Sequence, residues 1–179
     1  MASKMGGFST AGMKKLQKQL NKLQQSEVEA FVDSCAKELA ARLLAKVIKR
    51  TPVGDYPKGS GKKGGTLRRG WTSKTHEEAA GGTGKGSIAA GKAYADSLKV
   101  NHFGNFLVIE IVNPVEYASY VEFGHRTANH EGWVQGRFML TISEGEIQDI
   151  APQVLEAKIK KFLGLSLIHI SEPTRLRCI

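Results

Sequence analysis

The stretch Phe106-Leu107-Val108-Ile109-Glu110-Ile111-Val112-Asn113-Pro114-Val115-Glu116-Tyr117-Ala118-Ser119-Tyr120-Val121-Glu122-Phe123-Gly124 changes its period halfway along. Residues 106–112 are apolar apart from Glu110, rich in β-branched side chains, and stop at Asn113-Pro114, which is the pattern of a strand. From Tyr117 the apolar positions Tyr120, Val121 and Phe123 recur with helical steps, and Gly124 supplies a C-terminal stop, so 117–123 reads as a short helix. A strand followed by a helix, flanked on both sides by helical sequence, predicts an α+β fold and not a doubly wound sheet.

Upstream, Gly within 102–105 can turn the chain so that 94–100 forms a strand beside 106–112. The Gly/Ala-rich residues 77–92 read as an exposed insertion. Residues 66–75 alternate enough for a strand with Leu67, Trp71 and Ser73 on one face, and 52–65 is a loop of Gly, Lys and Pro. Before it, Ser26 begins a helix with a stripe of Val28, Phe31, Cys35, Leu39, Leu43 and Val47, ending before Thr51-Pro52. Cys35 on that stripe is expected to be a small core residue. A first helix, capped by Ser9 or Thr10, carries Met13, Leu16, Leu20 and Leu23 at three- and four-residue steps, with Lys14, Lys15, Lys18 and Lys22 mainly off that face.

Downstream, 125–135 reads as a polar loop and 138–150 as a helix. Pro152 either kinks that helix or starts a last one carrying Val154, Leu155, Ile159 and Phe162. The expected architecture is N-terminal helices, a small mostly antiparallel sheet, a short helix and a C-terminal helix, in one domain over 1–164. Residues 165–179 break the pattern: from Leu165 to Arg175 they match, residue for residue, the translation of a transposon-end sequencing adaptor. They are therefore expected to be non-native and are set apart from the fold.

The chain has 179 residues, 41% of them hydrophobic and 24% charged. That is enough to bury a core without disulfides, and no apolar run approaches a membrane span. Met1-Ala2-Ser3-Lys4 lacks the apolar stretch of a secretory signal. Two cysteines, Cys35 and Cys178, form neither a disulfide framework nor a metal spacing, so a reducing compartment is expected. The formal charge of +9 is unevenly spread: residues 1–70 hold 15 Lys/Arg against 5 Asp/Glu, whereas 71–179 hold 11 against 12. A segregated basic region suits an acidic partner or nucleic acid, and equally a solvated lysine-rich helix face.

Catalytic patterns fail on context. Gly59-Ser60-Gly61-Lys62-Lys63-Gly64 fits a dinucleotide fingerprint by spelling, yet no strand precedes it and no helix is read after it. Gly86-Ser87-Ile88-Ala89-Ala90-Gly91-Lys92 lacks the hydroxyl of a phosphate-binding loop, because Ala93 occupies its place. His125 and His130 are spaced wrongly for one helical face and have no third ligand nearby. No cofactor, metal or catalysed reaction is expected.

Three blocks in order point further. They are Thr51-Pro52-Val53-Gly54 with Gly65-Thr66-Leu67-Arg68-Arg69-Gly70-Trp71; then Asn113 to Arg126; then Gly136-Arg137-Phe138-Met139-Leu140. Together they resemble the tail-component family of long-tailed bacteriophages, the tail completion or head–tail joining proteins. The chain departs from that family in its lysine-rich loop 55–65 and its insertion near 76–93. The resemblance implies a non-enzymatic virion protein of the tail or neck, present in host cytoplasm during assembly. It would act as a ring oligomer, with a hexamer in view, docked on tail-tube or neck proteins, with DNA in its lumen and no membrane partner.

In that role Tyr117, Tyr120, Val121 and Phe123 would pin the short helix to the sheet, with Tyr117 and Phe123 read as core. Glu122, His125 and Arg126 would face outward as subunit or partner contacts. Lys62, Lys63, Arg68 and Arg69 would be exposed and able to touch DNA or an acidic ring surface. The competing reading is a basic protein that binds nucleic acid without sequence preference.

Overall fold

A computed structural model describes residues 14, 25–57, 59–61, 64–84, 86–104 and 106–163. Among them the order is α1 (Gln25–Arg50), α2 (Thr66–Gly70), α3 (His76–Gly81), α4 (Ile88–Ser97), β1 (Asn101–Phe103), β2 (Phe106–Val108), α5 (Ala118–Phe123), β3 (Gly124–Arg126), β4 (Trp133–Gln135) and α6 (Met139–Phe162). The strands form two separate antiparallel hairpins, β1–β2 and β3–β4. The fold is α+β. Of the first helix predicted in the sequence, only Lys14 is described, and it is helical and exposed; the other positions lie outside the described residues.

The long helix α1 is the spine, packed by α4 on one side and α6 on another. Its Leu44, Val47 and Ile48 form the core with Leu67, Trp71, Ala79, Ala95, Val115 and Met139. Close approach of α4 depends on small residues: a Cβ on Gly91 would stand 2.9 Å from Ile48 Cδ1. Cys35 is buried.

The end of α1 is where the first sequence block does its work. Thr51 is fully buried; its hydroxyl donates to Val47 O at 2.7 Å and accepts Trp71 Nε1–H at 2.8 Å. The Arg68 guanidinium donates to Thr51 O through Nε (3.0 Å) and Nη2 (2.6 Å). A cation on the carbonyl just past a helix C-terminus satisfies an orphan acceptor and complements the helix dipole. Thr51, Arg68 and Trp71 thus form one hydrogen-bonded unit, which gives the pairing of these two short segments a physical reason.

Several expectations give way here. Residues 66–75 are not a strand but α2 and its following turn; Leu67 and Trp71, four apart, share a face in either conformation, and both are buried. Residues 77–92 are not an open insertion. Thr75 caps α3, its hydroxyl accepting Glu78 N–H at 3.2 Å, and Ser87 caps α4 by accepting Ala89 N–H at 3.2 Å. Helix α4 then runs through most of the predicted strand 94–100. Only Phe106–Val108 of 106–112 joins a ladder, and the turn before it uses Gly104 at φ 57°. The predicted loop 125–135 contains the β3–β4 hairpin, and α6 passes through Pro152 as a single helix.

Helix α6 is tied to α1 by Glu146, which pairs with Lys46 at 2.6 Å and Arg50 at 2.7 Å. Hydrogen bonds from Lys46 and then Arg50 hold the Glu146 carboxyl below its ordinary pKa. A group depressed on folding adds stability above its unfolded pKa and loses that contribution as pH falls through its folded value. Glu146→Gln should therefore lower the thermal midpoint slightly at neutral pH and leave it unchanged in acid, a convergence that melting curves from pH 3 to 7 would register. Solvent exposure keeps the effect small.

Candidate functional site: a partner-contact surface

The second and third sequence blocks fold against each other. Asn113 Nδ2 donates to Leu67 O at 2.9 Å, while its Oδ1 accepts Val115 N–H at 3.2 Å, turning the extended chain toward α5. Gly70 leaves room for that side chain, since a Cβ there would stand 2.2 Å from Asn113 Oδ1. Helix α5 stops at Gly124, whose φ of 89° and ψ of 171° belong to a region only glycine occupies readily. A Cβ at Gly124 would also lie 2.4 Å from Val134 O, in the facing strand. The hairpin β3–β4 then returns the chain to Gly136, and Arg137 N–H and Phe138 N–H donate to Val121 O (2.8 Å) and Glu122 O (3.0 Å).

Those bonds bring the start of α6 over the side chain of Glu122. The N-cap of α6 is Phe138, at φ 49° and ψ 41°, with no side-chain oxygen to offer. Glu122 takes over that role from another element. Its Oε2 accepts Leu140 N–H at 3.0 Å, and its Oε1 accepts Thr141 N–H at 2.9 Å and the Thr141 hydroxyl at 2.8 Å. These are the second and third amides of the helix, the ones a capping side chain normally satisfies, and a carboxylate there also meets the positive end of the dipole.

Glu122, expected to face outward, is therefore 6% exposed, with both carboxylate oxygens engaged within its own chain. His125 is half-buried, stacks edge-on to Tyr120 at 5.8 Å between ring centroids, and has a buried Nδ1 without a hydrogen-bond partner among the described residues. Arg126 is exposed. The structure thus places His125 and Arg126 on successive residues of β3, while Glu122 lies inside the turn that supports them.

The basic candidates also divide. Arg69, expected at the surface, is 8% exposed: Nε donates to Ala79 O at 2.7 Å, and Nη1 donates to Gly84 O and, at 3.3 Å, to Gly64 O. Arg68 is half-buried on Thr51 O. Both guanidinium groups hold loops in place. Lys62 and Lys63 lie outside the described residues.

What the sequence reading missed is apolar. Tyr117 and Phe123, read as core, are 41% and 62% exposed, and Tyr120 and Trp133 are 58% and 63% exposed. Trp133 Nε1 comes within 3.0 Å of where a Gly124 Cβ would stand, which sets its indole beside the α5 terminus. Tyr120, Phe123 and Trp133 thus surround the α5–β3 junction with unburied aromatic surface. A second apolar feature lies away from this junction. It is a groove of about 500 Å³ between α1, α6 and the extended residues 107–111, lined by Phe31, Leu39 and Leu43 on one side and Leu107, Ile109 and Ile111 on another. Among the described residues no group of three or more His, Cys, Asp or Glu is arranged to hold a metal ion, and no helix is long and apolar enough to cross a membrane.

Comparison with known proteins identifies a family. Residues 14–124, which include α1 to α5 and the capping Glu122, match the family model described as "Bacteriophage HK97-gp10, putative tail-component". No curated protein and no solved structure gives a significant match. The matched residues span well over half of the chain and end at Gly124, where the aromatic junction begins to turn into the hairpin; the chain belongs to this family of bacteriophage tail components.

Proposed function

We propose that this tail component completes the tail or joins it to the head, acting as a ring of identical subunits docked on tail-tube or neck proteins. The observation that carries the reading is the aromatic surface at the α5–β3 junction, on a chain of the tail-component family. Tyr, Trp and Phe are enriched where proteins meet, and three of them left more than half exposed around one turn suit burial by a partner. His125 and Arg126 would supply the polar rim of that contact, with Glu122 fixing the turn beneath it. No chemical step is part of this role: the work is docking and self-association. Lumenal DNA, if contacted, would meet exposed lysines, because Arg68 and Arg69 are engaged by backbone carbonyls.

The reading is testable with tails assembled without this protein. Added protein should co-sediment with them, and Phe123→Glu with Trp133→Glu should reduce the bound fraction at least about tenfold, the effect of losing central aromatic anchors. The thermal midpoint should stay within a few degrees, since both side chains are already exposed. Undiminished binding by the double variant would remove the junction from the contact.

A further inference from the structure

We infer that the outer backbone edge of Leu107, Ile109 and Ile111 receives an extended segment of the tail protein on which this chain docks. The inference rests on the docking reading above and names the chemistry of the partner. Residues 106–112 are strand-like in sequence, yet only Phe106–Val108 is paired, with β1. Among the described residues, no N–H or C=O of Ile109, Glu110, Ile111 or Val112 makes a hydrogen bond. The segment keeps the strand period all the same: Leu107, Ile109 and Ile111 line the groove, while Phe106, Val108, Glu110 and Val112 are exposed on the other face. Such a row of unpaired groups, rich in apolar side chains, is a template for a further strand.

The hairpin register says which edge is open. Phe103 and Phe106 face each other across a two-residue loop, the position of a hydrogen-bonded pair. Because such pairs alternate, Phe106 and Val108 direct their backbone groups toward β1, and Leu107, Ile109 and Ile111 direct theirs away from it. Each of these three residues presents one donor and one acceptor, and the next repeats them about 7 Å along the strand. Another extended backbone matches that row in full, whereas a line of phosphates offers acceptors alone. The groove beneath gives the added segment apolar surface for every second side chain, from Leu39 and Leu43 among others. The edge also runs into the docking surface already described, since Ile111, Val112 and Phe123 border one cleft of about 230 Å³. A second copy is the poorer match. Its β1, β3 and β4 are three residues long, and pairing with its own 107–111 edge would close a two-fold dimer that cannot propagate around a ring.

Amide hydrogen exchange of the full chain, free and docked on tails assembled without it, tests this residue by residue. The amides of Leu107, Ile109 and Ile111 should exchange quickly in the free chain and slow at least about tenfold on docking, while those of Glu110 and Val112 change little. Two variants add a binding readout. Leu107→Pro, at a position 37% exposed, deletes an outward donor and sets a ring on the open edge. Glu110→Pro, also exposed, deletes a donor aimed at the opposite side. Co-sedimentation should weaken at least about tenfold for the first and less than about twofold for the second. Docked protein whose edge amides still exchange quickly would overturn the strand contact and leave the docking reading standing. A wild type that never co-sediments would overturn both. Edge amides already slow in the dilute free chain would mean that the edge is filled within the chain, and slowing that follows protein concentration without tails would assign it to a second copy. Either result overturns the inference.

Discussion

Glu122→Ala should lower the unfolding free energy by about 2–3 kcal/mol, measured by urea denaturation with the wild-type slope retained. The figure combines the loss of a helix cap, about 1 kcal/mol, with the lower part of the roughly 1–3 kcal/mol cost of an unpaired amide, since the two amides are only part-buried. The change strips Leu140 N–H and Thr141 N–H of their acceptor at the start of α6. Phe138, left-handed and apolar at the N-cap, cannot take over. Glu122→Gln keeps one acceptor oxygen and loses the charge facing the dipole, so it should fall between wild type and Ala. Equal stability of all three would mean that the cap contributes nothing, and Glu122 would again be free to be read as a contact residue.

Arg69→Ala should cost about 3 kcal/mol by the same assay, through charge-assisted bonds individually worth about 1.5–3 kcal/mol. Arg69 joins the carbonyls of Gly64, Ala79 and Gly84, so its loss frees the loop before α2 together with the segment after α3. Limited proteolysis should then cut first near residues 82–86. Arg69→Lys should rescue little, because a point charge on a flexible stem cannot reproduce a fork that reaches carbonyls in separate directions. A variant that melts as wild type and loses only nucleic-acid binding would return Arg69 to the surface role its sequence suggests.

Both predictions concern residues whose identity was plain in the sequence and whose direction was not. Glu122 caps a helix that starts seventeen residues later, and no local periodicity reports such a bond. Arg69 follows a lysine-rich loop, which made exposure the natural expectation, yet its bonds run to carbonyls fifteen residues away. The α1 helix, the stop at Thr51-Pro52, the α5 helix and its Gly124 terminus are legible because each depends on neighbours within a few residues, whereas the fully buried face of α1 is Leu44, Val47 and Ile48, and of the predicted stripe Val28 is exposed. Residues 66–75 read as a strand because Leu67 and Trp71, four apart, satisfy the strand period and the helix period alike. The helix at 76–81 did carry a signal, the Thr75-x-x-Glu78 cap, which the surrounding glycines and alanines obscured. The exposed aromatics read as core in the sequence because composition says which residues prefer burial, and only the fold says what remains for a partner to cover.

The central claim, that this tail component works by assembling on itself and docking, is tested most directly by light-scattering mass. The protein would be measured alone and then mixed with its tail-tube protein. A discrete mass that is a whole-number multiple of the subunit is expected in at least one of the two conditions. A monomer of unchanged mass in both, across the concentration range, would contradict it.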